Sequence, residues 1–271
     1  MKNIEQVGYH DLQKRPAFQI VMQKCGEKYY LYCASWRHNG WSILDVTDPT
    51  NPKMIQFKEG PWINEDCHDG QNTCKIQVAD GLMLTAHGTM AGFLTGCPEG
   101  CPAWCGLMVW DVKTDPTDPK LLGTFECPGG QGVHRSFYNG GRYAYITGCD
   151  NGYESFILRI IDLADPAHPV EAGRYCVPEQ IIQGESNLQF GDHLFKPFVH
   201  AVTVKDDIAY LAYSNVGFVL VDVSDKTNPK MIGKLSLNPP FGGDAAGAFR
   251  LSAGRPPVCG SIYRGRAQPF L

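Results

Sequence analysis

The chain has 271 residues, 43% hydrophobic and 19% charged, enough apolar material for a sizeable core, which excludes disorder over its whole length. A net charge of −4 and a pI near 6.0 leave no basic footprint for a nucleic-acid partner, and no apolar run reaches the roughly 18 residues that a membrane span needs. The polar start MKNIEQVGYHDLQKRP lacks a signal-peptide core, so the eleven cysteines read as reduced thiols of a cytoplasmic protein, most of them small buried hydrophobes.

Hairpins are predicted at IVMQKCGEKYYLYCA (20–34), IQVADGLMLTA (76–86), FYNGGRYAYITG (137–148) and TVKDDIAYLAY (203–213). Each sets a Gly- or Asp-containing turn between alternating apolar residues. After each hairpin comes an apolar run that ends in Asp and a proline-rich turn. These are WSILDVTDPTNPKMI (41–55), LMVWDVKTDPTDPKLLG (107–123), LRIIDLADPAHPVEAG (158–173) and VLVDVSDKTNPKMIG (219–233). The aligned aspartates Asp45, Asp111, Asp162 and Asp222 stand 66, 51 and 60 residues apart. Ile, Leu and Val make the run a strand. It stops where Asp bonds its own backbone and Pro removes a ladder donor. The short stretch after the last proline, such as Lys230-Met231-Ile232, is an outer strand, whose entrance tolerates proline.

Each unit therefore holds four antiparallel strands, with no helical periodicity. The predicted fold is all-β, a β-propeller of four-stranded blades. A β-sandwich also has short strands and regular turns, but it does not repeat one Asp-x-x-Asp-Pro-x-x-Pro signature in register.

The motif I-x-D-V-x-D-P-x-x-P resembles the repeat that defines the LVIVD family. GYHDLQKRPAFQI and WRHNGWSILDVTDP, around the first repeat, look like the bacterial soluble branch of that family. The resemblance extends over about residues 8–240 and implies the propeller fold, without a single chemistry attached to it. Residues 1–240 are assigned to blades one to four, and 241–271 to the start of a fifth blade or a non-native tail. The end, DAAGAFRLSAGRPPVCGSIYRGRAQPFL, has four arginines, one aspartate and no Asp-x-x-Asp-Pro motif. The expectation is a chain incomplete at its C-terminus, or one whose tail comes from a reading-frame or assembly error.

Propeller sites gather where the innermost strands begin. His134 (VHRSFYNGG) and His200 (VHAVTVKDD) each open the first strand of a blade and are predicted to converge on the axis. Neutral imidazole is the commonest transition-metal ligand, so the candidate cofactor is a divalent ion: zinc, iron, copper or manganese. His68 lies 23 residues after Asp45, as His134 does after Asp111. Alignment from the hairpin instead puts Cys74 opposite His200 and leaves His68 at the channel mouth. His87, ending the second strand of blade two, is the fourth candidate ligand. Glu65 and Asp69, beside Asp66 and His68, are candidate acid/base groups, and Arg135 suits an anionic substrate through its planar fork. The plainer alternative is that a histidine at the start of an inner strand only hydrogen-bonds a neighbouring blade.

The run GCPEGCPAWCG spaces Cys97, Cys101 and Cys105 either for a thiolate zinc site or for a loop stiffened by its prolines. The long segment 176–198, with Glu179, Glu185, Asp192 and His193, is either a binding loop or a solvated insertion. No P-loop, dinucleotide or nucleophile-elbow motif is present, and the repeat aspartates read as turn formers. Two functions remain open. One is a metal-dependent enzyme acting on a small molecule at the channel mouth; the other is a non-catalytic ligand- or protein-binding scaffold. The expected partner is a small molecule, with neither nucleic acid nor membrane.

Overall fold

Alternating apolar side chains fold here as meanders of four strands, each strand antiparallel to the one before it. The computed structural model describes residues 4–35, 40–60, 71–89, 104–182, 189–190, 193–194, 197–214 and 216–236. Blade one holds β1 (Ala17–Cys25), β2 (Lys28–Ser35), β3 (Gly40–Asp45) and β4 (Lys53–Glu59). Blade two holds β5 (Gln71–Ala79), β6 (Leu82–Thr89), β7 (Gly106–Asp111) and β8 (Lys120–Glu126). Blade three holds β9 (Val133–Phe137), β10 (Tyr143–Gly148), β11 (Ile157–Asp162) and β12 (Val170–Tyr175). A small hairpin follows, β13 (Gln189–Phe190) with β14 (His193–Leu194). Blade four holds β15 (Phe198–Lys205), β16 (Ile208–Ser214), β17 (Gly217–Asp222) and β18 (Lys230–Leu235). The first strands of successive blades, β1, β5, β9 and β15, lie beside one another. The described residues contain no α-helix, and none of their helical turns is long and apolar enough to cross a membrane.

The local chemistry explains the meander. Asp80-Gly81 and Asp206-Asp207 have positive φ at both turn positions, the geometry that matches strand twist in a two-residue hairpin. The repeat aspartates form tandem turns. In blade one, Asp45 accepts the Thr47 N–H at 2.9 Å and Asp48 accepts that of Thr50 at 2.9 Å. In blade four, Asp222 accepts the Ser224 N–H at 2.8 Å and Asp225 that of Thr227 at 3.0 Å. The hydroxyls of Thr47, Thr50 and Thr227, with these backbone bonds, hold the carboxyls of Asp45, Asp48 and Asp225 below their usual range, and for Asp222 the Ser224 N–H comes first.

One apolar core fills each junction between blades. Trp41, Tyr32 and Ile43 meet Ile76, Met83 and Trp110 between blades one and two. Leu84, Leu107 and Val109 meet Ile146 and Ile161 between blades two and three. Leu158 and Ile160 meet Leu211, Val219 and Val221 between blades three and four. Period-2 alternation thus gives every inner blade two buried faces. Trp41 and Trp110 touch edge to face with centroids 4.7 Å apart.

At the rim the blades are joined through backbone. On the outer strands of blades one to three, the residue that follows the bulge faces the turn of the next blade. A Cβ at Gly123 would lie 2.5 Å from the Pro166 and Ala167 carbonyl oxygens of blade three. One at Gly173 would overlap the Lys226 carbonyl of blade four. Blade one has Gln56 at this place, and its amide donates to the Thr117 carbonyl of blade two. At the N-terminal end, Gly8 lies against the Pro49 carbonyl of blade one. It takes the position that the outer-strand glycine of a preceding blade takes elsewhere.

Replacing Gly173 by Val should lower unfolding free energy by about 3 kcal/mol, because a fixed carbonyl cannot yield as a side chain can. Gly233→Val, at the same register in blade four, meets only the Leu220 side chain at 3.3 Å. Its effect should be about 1 kcal/mol. Urea unfolding of the two variants checks the contrast.

Candidate functional site

Strand register places the inner-strand residues. In β5, Thr73 pairs with His87 and Lys75 with Ala86, so Cys74 is the extra residue of a bulge. In β9, Val133 pairs with Gly148 and Arg135 with Thr147, which leaves His134. In β15, Val199 pairs with Tyr213 and Ala201 with Ala212, which leaves His200. Cys74, His134 and His200 are therefore equivalent, each the unpaired backbone position of a bulge.

The two histidines meet. Their rings stack with centroids 5.0 Å apart and planes within 10°. Phe156 stacks on the other side of His134 at 5.4 Å, and Phe198 meets His200 edge-on at 6.0 Å. Arg135 Nη2 lies 3.2 Å from His200 Nε2. A guanidinium only donates, so Nε2 accepts, which makes His200 a neutral imidazole with its proton on Nδ1. Burial holds the His134 imidazole well below the usual range, and the neighbouring cations Arg135 and Lys75 push it the same way. Lys75 itself is 8% exposed, with Nζ 4.3 Å over the Phe18 ring of blade one.

A buried amide supports this cluster. The chain from Val177 makes a 3₁₀ turn at Pro178–Gln180, and Gln180 is fully enclosed. Its Nε2 donates to the Glu154 and Phe156 carbonyls at 2.8 and 3.0 Å, and its Oε1 accepts from the Tyr213 hydroxyl. Gln180 thus fixes the loop that delivers Phe156 to His134.

His87 has a different setting. It is buried in blade two, with Nδ1 3.2 Å from Thr73 Oγ1 and Nε2 2.7 Å from Thr85 Oγ1. Trp110 Nε1 donates to the same Thr85 oxygen at 2.9 Å. The arrangement that uses every proton has Thr85 donating to Nε2 and Nδ1–H donating to Thr73. Both ring nitrogens are engaged by hydroxyls, and burial lowers the imidazole pKa to about 3. His68, Glu65 and Asp69 lie outside the described residues, as do Asp66, Cys97, Cys101 and residues 241–271. Cys105 is described: a buried thiol, raised to about 11 by burial. Cys105, Cys25, Cys33, Cys127, Cys149 and Cys176 are free thiols.

The described wall does not fit a shared metal ion. A ligand lone pair lies in its ring plane, and no point lies in two stacked planes at once. His200 Nε2 already accepts from a cation, and a second cation acts on His134. No group of three or more His, Cys, Asp or Glu among the described residues is arranged to hold an ion.

Sequence reasoning missed Phe156, Phe198, Gln180 and Lys75. Lys75 was findable, because it follows Cys74 as Arg135 follows His134. The others come from loop packing that no period reports. A groove of about 600 Å³ opens at the turn end of the same junction, lined by Phe137, Tyr143, Tyr145, Arg142 and Lys226 among others. Two of its cations are already paired, Arg142 with Asp162 and Lys226 with Asp207.

These blades and their joints define a β-propeller. The LVIVD repeat model matches residues 28–57, 140–177 and 199–236, so blades one, three and four of this propeller carry LVIVD repeats. The matched segments leave out blade two, where one extra residue separates Asp111 from Asp115; the other blades space these aspartates as Asp45 and Asp48. No curated protein sequence matches the chain. Among solved structures, the periplasmic gluconolactonase PpgL of Pseudomonas aeruginosa is similar, with TM-score 0.51 and 10% identity over 77% of this chain and 54% of that one. A functionally unknown protein from Desulfotomaculum acetoxidans has TM-score 0.49 and 11% identity, over 82% of this chain and 57% of that one. An exo-β-1,3-galactanase from Phanerochaete chrysosporium has TM-score 0.46 and 11% identity, over 82% and 50%. The chain spans about half the length of these structures, and the likeness to the first is one of fold.

A pH effect follows from His87. Its ordinary value is 6.5 and its folded value about 3, so the unfolded chain takes up the proton first. Stability should fall as pH drops through that window. His134 contributes with the same sign. His87→Gln should make the decline shallower, read from urea unfolding at about pH 7 and about pH 4.5.

Proposed function

We propose that this propeller binds a small molecule at the inner-strand wall where blades three and four meet. The observation that carries the reading is the stack of Phe156, His134 and His200, with Arg135 on His200, built from equivalent bulge positions. Bulges of this kind recur beside active sites. Flat faces with a few directed donors suit a small ligand. Neutral His200 adds its flat ring face to the stack. Binding is therefore by stacking and hydrogen bonds, with no step assigned to a metal. Whether a reaction follows depends on Glu65, Asp69 and His68, whose placement lies outside the described residues.

Fragment screening by ligand-observed NMR tests this. Fragments that bind the wild type should be lost in His200→Ala and weakened about tenfold in Phe156→Ala, if the stack forms the site. Hits indifferent to both substitutions would contradict it. Metal analysis of the purified chain gives a second check. Stoichiometric metal lost in a His134→Ala, His200→Ala double variant would overturn the metal-free reading.

A further inference from the structure

At their turn ends the blade junctions are closed in different ways. Between blades one and two, the Gln23 amide donates to the Val112 carbonyl at 3.2 Å. The Tyr32 hydroxyl lies 2.9 Å from Gln23 Oε1 and 2.9 Å from the Pro116 carbonyl. Between blades two and three, the Asp80 carboxylate accepts the Gly141 N–H at 2.7 Å. Between blades three and four, the groove of about 600 Å³ opens at this place.

Strand register shows how the groove arises. Tyr30 and Tyr143 each pair with the repeat aspartate of their blade, so Tyr145 corresponds to Tyr32. Counting on from the pairs Val21–Tyr32 and Phe137–Tyr145, Asn139 corresponds to Gln23. Val223 follows Asp222 as Val112 follows Asp111, and Lys226 follows Asp225 as Pro116 follows Asp115. The rim confirms this last match, because Gly173 meets the Lys226 carbonyl as Gly123 meets that of Pro166. Two of these exchanges open space. Asn139 is one methylene shorter than Gln23. Blades one to three carry proline after the second aspartate (Pro49, Pro116 and Pro166), and blade four alone carries lysine. Lys226 Nζ donates to the Val223 carbonyl at 2.6 Å and to Asp207 at 2.7 Å. It thereby takes the acceptor that a bridging amide uses between blades one and two.

Tyr145 is left without the bridge that Tyr32 has. It is 6% exposed, its ring belongs to the core between blades three and four, and it lines the groove. No described residue hydrogen-bonds its hydroxyl. Burial, then the groove residues Asp207 and Tyr143, pushes the phenol up to about 12, so it stays a neutral donor and acceptor. A phenol in such a place is favourable when something bonds it.

We infer that this groove is a second binding site, for a neutral, hydroxyl-rich ring of monosaccharide size, bonded by Tyr145 and Asn139 and packed against Phe137. Its volume lies within the range of about 300–1,000 Å³ usual for small-molecule sites. The charges set the class of ligand. Arg142 is matched by Asp162 and Lys226 by Asp207, and both cations also lie near the Tyr143 ring, at 5.2 and 5.4 Å. A charged ligand would compete with these pairs, and Lys205 is solvent-exposed, where a charge contributes little. A wholly apolar ligand would leave the Tyr145 hydroxyl without a partner. Ligand hydroxyls both donate and accept, so they suit a phenol and an amide together. The C–H face of a pyranose suits the half-buried Phe137 ring.

The probes are methyl glucopyranoside, methyl galactopyranoside and methyl mannopyranoside, with glucuronate as the charged ring and cyclohexanol as the hydroxyl-poor one. Each is titrated into the isotope-labelled full chain and followed by NMR. At least one neutral pyranoside should bind at millimolar concentration or below, and Tyr145→Phe should weaken it about tenfold. The double variant Asn139→Gln, Lys226→Pro rebuilds the bridge of blades one and two. It should lose pyranoside binding at least about tenfold while its melting temperature holds or rises. Failure of every pyranoside to bind, tighter binding of glucuronate, or equal binding of cyclohexanol would each overturn the proposal. So would pyranoside binding indifferent to Tyr145→Phe and to the double variant. Fragments that depend on His200 should stay bound in Tyr145→Phe; their loss would place both ligands in one site and overturn the inference of a second.

Discussion

The rest of the structure depends on the contact between the outer-strand bulge of one blade and the turn carbonyl of the next. At Gly123 and Gly173 this contact is backbone on backbone, closer than any side chain allows. Apolar cores between blades are large but non-directional, and two sheets with alternating Val, Ile and Leu can slide on one another. The rim contact removes that freedom. It also accounts for the tandem aspartate turns. A carbonyl can be presented at a fixed angle only from a loop that its own side chains have closed, as Asp165 does by accepting the Ala167 N–H at 3.0 Å. Gly8 extends the rule to the segment before the first strand, where it lies against the Pro49 carbonyl.

With blades held at a fixed relation, the inner strands come into register from blade to blade. That register brings His134 and His200 face to face. Gln180 then joins the connection between blades three and four to Tyr213 on one side and to the loop bearing Phe156 on the other. The same amide thus serves packing and the site. The His134 imidazole stays neutral because burial and positive neighbours both oppose its protonation.

Much of this was legible in the sequence. The Asp-x-x-Asp-Pro signature located four strand ends, and the hairpin alignment set Cys74 opposite His200, as the register has it. The same spacing could not tell His87 from His134. Both end or begin an inner hairpin strand, but two threonine hydroxyls satisfy one of them and aromatic rings surround the other. Threonine at 73 and 85 carries no periodic signal of that role. Gln180 and Phe156 escaped for another reason. They lie in connections whose conformation depends on tertiary contacts rather than on local propensity. The rim glycines repeat at one place in the motif, yet their meaning appears only with the neighbouring blade in place.

The central claim is that His200 is a neutral, metal-free imidazole whose Nε2 accepts from Arg135. Long-range ¹H–¹⁵N correlation of the histidine rings reports protonation and tautomer directly. At neutral pH, His200 should show a protonated Nδ1 and a lone pair on Nε2, His134 should also be neutral, and neither pattern should change when a chelator is added. A cationic ring, a proton on Nε2, or a shift of either ring on chelation would contradict the account.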